Sequence, residues 1–199
     1  MAFVEPVELR GRHVSLEPLS AEHNEALKAA AADGELWNLR VTSVPRPEQM
    51  EANTAYRLGL RAQGTMMPFA VRRQCDAAIV GATTYMNIAT EHRRVEIGST
   101  WYAKSAQRTV INTEAKLLLL THAFEQLDCI AVEFRTHRMN RQSRTAIERL
   151  GAKLDGVLRS HMIVRDGELR DTCVYSITAP EWPTIKAELL SKVSATALQ

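Results

Sequence analysis

A strand that feeds a buried helix through a polar loop admits few architectures, and residues 95–127 have that form. Residues 95–102 read as a strand and 103–111 as a loop, and a strongly apolar helix opens near Asn112, a good N-cap. Thr113-Glu114-Ala115-Lys116 begin a helix-forming run. Leu117, Leu120, Phe124 and Leu127 then recur at helical spacing, with Leu118 and Leu119 widening the stripe. This helix is expected to lie buried against a sheet. Its first amides lack intrahelical partners and mark the positive end of the macrodipole, which suits a phosphorylated ligand. A plain βα connection with no ligand reads the same residues equally well.

The rest of the chain supplies the sheet. Residues 13–19 form a first strand and 21–32 an alanine-rich helix capped by Ser20 and stopped at Asp33-Gly34. Residues 48–63 form a second helix closed by Gly64, and Trp37 and Arg40 lie on the loop between the two. From Pro68 to Tyr102 the period becomes two, giving antiparallel strands at 69–73, 78–88 and 94–102. Gly81 and Gly98 inside them mark bulges or close backbone approach. Residues 129–136 form another strand and 140–150 a helix with Asn140 at or near its cap. Residues 156–165 and 171–178 make a hairpin around Asp166-Gly167, and the tail from residue 180 is a terminal helix.

Composition narrows the class. The 199 residues suit one core, and a formal net charge of +2 argues for neither nucleic acid nor an acidic membrane surface. The basic run at 135–144 has no interleaved aromatics, as single-strand binding would need. No apolar run nears the roughly 20 residues that span a bilayer. Three cysteines without CxxC spacing, and no secretory signal, fit a reducing cytoplasm. The six histidines show no metal-ligand spacing, so no metal is expected.

The order β-α-α-β-β-β-α-β-α-β-β makes the strands at 94–102 and 129–136 parallel, because a helix crosses between them. This mixed α/β layout resembles the GCN5-related N-acetyltransferase (GNAT) fold over residues 9–178, with a helical tail at 180–199 in one domain spanning 1–199. Within that family it is most similar to the RimJ/RimL branch. The match rests on Glu96-Ile97-Gly98, on Thr113-Glu114-Ala115, and on Asn140-x-x-Ser143 followed by Ile147 and Leu150-Gly151. The family's pyrophosphate loop, (Gln/Arg)-x-x-Gly-x-(Gly/Ala), aligns with Gln107, Arg108, Thr109, Val110, Ile111 and Asn112. Val110 and Asn112 replace its two small residues. Valine disfavours positive φ, so this loop either takes another conformation or relies less on that amide.

The resemblance implies transfer of an acetyl group from acetyl-CoA to a primary amine by direct attack. The acceptor is a protein N-terminus or a small amine; the alternative is a coenzyme A-binding module without transfer activity. It implies that backbone groups near Trp101 and Tyr102 hold the pantetheine arm, with residues 107–112 and Thr113 on the pyrophosphate. Asn140 then contacts the arm, and Ser143 is donor to the leaving thiolate. Glu96 is nominated as general base, since burial on a central strand raises a carboxylate pKa; a salt bridge to Arg94 or Arg135 accounts for it as well. His92 is the alternative base and Tyr85 a second proton donor. The four arginines and His137 of the basic run suit the coenzyme's 3′-phosphate or simply solvent. An open edge on the last hairpin makes a homodimer possible.

Overall fold

The computed structural model describes residues 3–39, 42–164 and 167–195. One eight-stranded sheet runs through it. The strands are β1 (Leu9–Arg10), β2 (Val14–Pro18), β3 (Met66–Arg73), β4 (Ile79–Ala89), β5 (Arg94–Tyr102), β6 (Ala131–His137), β7 (Lys153–Ile163) and β8 (Leu169–Thr178). Their order is β1-β2-β3-β4-β5-β6-β8-β7, and the only parallel pair among the described residues is β5 with β6, as the crossover requires. The helices are α1 (Asn24–Ala32), α2 (Met50–Ala62), α3 (Val110–Glu125), α4 (Arg141–Glu148) and α5 (Trp182–Ala195).

The sheet separates two helical layers. Tyr85 of β4 donates its hydroxyl to the Leu119 carbonyl of α3, whereas Thr84, one residue earlier, receives Arg57 of α2. Neighbouring strand residues point to opposite faces, so α2 and α3 lie on opposite sides. On the α3 side Phe124 stacks on Trp182 of α5 at 5.3 Å, and Arg144 of α4 donates to Tyr175. The buried core runs through both layers, with Phe69, Tyr85, Leu119, Phe134 and Tyr175 among its largest members.

The expected elements are present, with corrections at several boundaries. β1 was not expected; it is two residues long, too short for a periodic signal. The helix expected to open at Asn112 starts at Val110, because Thr109 is the cap and its Oγ1 accepts from the Ile111 amide at 3.3 Å. β7 begins at Lys153 and β8 at Leu169, both earlier than the pattern suggested. Of the turn assigned to Asp166-Gly167, Asp166 lies outside the described residues, as do the last four of the tail.

Glu114, from the Thr113-Glu114-Ala115 motif, is buried with no basic partner among the described residues. It accepts from the backbone amides of Arg12 (2.9 Å), His13 (2.6 Å) and Val14 (2.8 Å). Gly11 permits this: a Cβ there would lie 2.7 Å from the Glu114 carboxyl carbon. A carboxylate thus ties the β1–β2 turn to α3, a contact spanning about a hundred residues of sequence.

Candidate active site

β5 and β6 pair at Arg94–Ala131, Val95–Val132 and Glu96–Glu133, and among the described residues the pairing ends there. Yet β5 continues to Tyr102 and β6 to His137. Past Glu96 the two strands therefore part, and each leads to a helix start, β5 to α3 and β6 to α4. The parting follows from a bulge. Ala82 opposes Trp101 and Thr84 opposes Gly98, so Ser99 and Thr100 together face Thr83 alone, with Ser99 at φ 48°. Gly81 admits the bent strand, since a Cβ there would stand 2.2 Å from the Trp101 carbonyl oxygen.

The Trp101 carbonyl oxygen stands against Gly81 of β4, in the space a side chain there would take. The Tyr102 carbonyl accepts from Gln107 Nε2 at 2.9 Å, so the Gln107 side chain folds back on the strand. Among the described residues the buried Tyr102 hydroxyl has no hydrogen-bond partner, and burial pushes its pKa up.

The loop into α3 resolves the substitution at Val110. Positive φ falls on Arg108 (60°), while Val110 is the first helical residue. Thr109 donates to the Ala106 carbonyl at 2.7 Å and caps Ile111. Val110, Ile111 and Asn112 thus carry the first three amides of the helix, which have no partner within it, and Thr113 completes the first turn. The C-terminus of α1 is tied to this loop: the Asp33 carbonyl accepts from the Lys104 amide, and its carboxylate from the Ser105 amide.

Glu96 is the last residue of β5 paired with β6 and is buried. Asn87 Nδ2 donates to it at 2.7 Å and Arg135 Nε stands 3.5 Å away, whereas Arg94 pairs with Glu133 instead. Burial dominates these contacts and pushes the carboxyl above its ordinary range. Gly98 leaves room alongside, because a Cβ there would meet Glu96 Oε1 at 3.0 Å and Met86 Sδ at 2.7 Å.

Across the cleft, Asn140 caps α4 and accepts from the Ser143 amide at 3.0 Å, which places both residues in the first turn. Beside them His137, Arg138, Arg141 and Arg144 line a cavity of about 420 Å³. Two nominated groups lie elsewhere. The Tyr85 hydroxyl is fully buried under α3 and committed to Leu119, which removes it as a proton donor at the cleft. His92 is exposed on the β4–β5 turn.

The profile of the acetyltransferase (GNAT) domain family matches residues 13–153, well over half of the chain. The chain belongs to the GNAT acetyltransferases. Among GNAT proteins of known structure, one from Brucella melitensis superposes with a TM-score of 0.85 at 29% identity, covering 96% of this chain and 86% of that one. RimJ of Mycobacterium smegmatis, solved with CoA-disulfide, shares the fold at a TM-score of 0.75 and 24% identity, over 96% of this chain and 93% of that one. YdaF of Bacillus subtilis, named among ribosomal N-acetyltransferases, is 33% identical over 107 residues; that is 54% of this chain and 57% of YdaF. The chain thus spans a little over half the length of that relative.

Proposed function

We propose that this GNAT protein transfers the acetyl group of acetyl-CoA to a primary amine. The observation that carries the reading is the end of β5–β6 pairing at Glu96 and Glu133, which opens a strand edge between two helix N-termini. An extended amide-bearing arm fits that edge, and an anionic pyrophosphate fits the amides of Val110 and Asn112, the Ile111 amide between them being held by its Thr109 cap. Arg108 adds charge to the loop, while Arg138 and Arg141 suit the 3′-phosphate. Valine at position 110, which would favour a binding-only module if the loop needed positive φ there, sits in helical conformation.

In the reaction Glu96 takes the proton that an ammonium must lose, directly or through water. The neutral amine nitrogen then forms a bond to the thioester carbon as the C–S bond breaks. The acylated nitrogen sheds its surplus proton and the leaving thiolate gains one, the Ser143 hydroxyl relaying it by donating to sulfur and regaining a proton from the nitrogen through water. Asn140 orients the arm and caps α4 at once. Residues 9–178 form the catalytic core in this reading, and the cytoplasm is its setting. A protein N-terminus is the acceptor favoured by the RimJ/RimL likeness. Acetyl-CoA turnover against a panel of amines and N-terminal peptides tests the assignment.

The edge strand β7 is exposed along its length and carries Val157, Leu158, Met162 and Ile163 at the surface. We assign it to a two-fold contact with a second copy, since an antiparallel edge complements itself. Sedimentation giving a monomer at micromolar concentration would remove this assignment.

A further inference from the structure

A buried guanidinium and a buried lysine amine grip the β5 bulge from opposite faces. Arg57 of α2 is 7% exposed. It donates from Nε to Asn53 Oδ1 (2.8 Å), from Nη1 to Thr84 Oγ1 (3.0 Å) and from Nη2 to Ser99 Oγ (2.5 Å). Lys116 of α3 is 5% exposed and donates from Nζ to Thr83 Oγ1 (3.0 Å) and Thr100 Oγ1 (2.6 Å). Among the described residues neither pairs with a carboxylate; every acceptor is neutral. Ser99 and Thr100, the two bulge residues, are each held by one of them.

Burying a cation without a counter-ion is costly, and apolar side chains would fill both places more cheaply. The guanidinium keeps its charge even though burial lowers its pKa. The bulge it holds lies on the stretch of β5 that has left β6, three residues beyond Glu96. Acyl transfer builds negative charge on the thioester oxygen, and fixed positive charge or fixed donors at that place lower the barrier.

We propose that Arg57 and Lys116 are positioning residues for acyl transfer. They clamp the Ser99–Thr100 bulge so that the free edge of β5 is fixed against the thioester, and Arg57 supplies positive potential there. The proposal rests on the acetyl-CoA reading of the cleft.

The test compares the parent with Arg57→Met, Arg57→Lys, Lys116→Met and the double variant Arg57→Met/Ser99→Ala. Melting temperature, coenzyme A affinity by calorimetry, and kcat with the best amine are measured for each. Arg57→Met should lower kcat about 10- to 100-fold with coenzyme A affinity held within about threefold, and Arg57→Lys should recover part of the loss. The double variant should be no slower than Arg57→Met, because Arg57 acts through Ser99. Lys116→Met should melt no lower than the parent, since the Thr83 and Thr100 hydroxyls still pair at 2.8 Å, yet turn over more slowly. Folded variants with parental kcat would overturn the proposal, as would loss of coenzyme A affinity in step with rate. A parent that binds no coenzyme A would overturn the cleft reading and the clamp with it.

Discussion

Asn87 Nδ2 donates to Glu96 Oε2 at 2.7 Å while Arg135 Nε stands 3.5 Å from the same oxygen. Asn87 sits at φ 48°, a left-handed conformation that asparagine tolerates better than most residues. The two contacts favour the carboxylate, but burial opposes them and prevails, so the carboxyl titrates above its usual range. A base of that kind accepts a proton from an ammonium more readily than an exposed glutamate does.

Replacing Glu96 with Gln should therefore lower kcat/KM by about 100-fold while coenzyme A affinity changes little. The ascending limb of the pH–rate profile should lose its enzyme-derived component and keep only the deprotonation of the amine. Steady-state kinetics across pH, with calorimetry at one pH, checks both parts.

Lys116 gives a stability signature. Burial lowers its pKa from 10.5 to about 7, so between these values the unfolded chain binds a proton that the folded chain lacks. Stability attributable to this residue is complete above the unfolded value and is lost as pH falls toward 7. Relative to Lys116→Met, the parent should gain stability as pH rises from about 7 to 10. Urea unfolding of both proteins at several pH values reads the difference.

The Glu114 carboxylate holds three backbone amides of the β1–β2 turn. Glu114→Gln removes the charge and leaves donors without full partners, at a cost of about 3 kcal/mol in unfolding free energy. Denaturant titration should show the loss, with activity per folded molecule retained.

Val110→Gly should not tighten coenzyme A binding. Positive φ belongs to Arg108, so glycine at 110 only loosens the first turn of α3, at about 0.5–1 kcal/mol. Calorimetry giving tighter binding would show that the loop rearranges around its ligand.

The layout of the sheet was legible in the sequence because its signals are local. The period of two from Pro68, the apolar stripe of α3 and the crossover between β5 and β6 all lie within short windows. Glycines 81 and 98 also marked the irregular strands correctly. The buried charges were not legible. Glu114 and Lys116 look like ordinary helix formers, and their partners are 16 to 102 residues away. Tyr85 failed for a related reason: alternation shows that β4 has two faces, not which one meets α3. The true cap of α3 was missed because Thr109 and Asn112 are both good caps, and only the conformation of Arg108 chooses between them.

The central claim is amine-dependent acetyl transfer at the β5–β6 cleft. It is tested most directly by free-thiol release from acetyl-CoA with and without an N-terminal peptide panel, parent beside Glu96→Gln. The account predicts release from the parent that depends on the amine and matches acetylated product, and about 100-fold less from the variant. Release that ignores the amine, or that is equal in the two proteins, would contradict it.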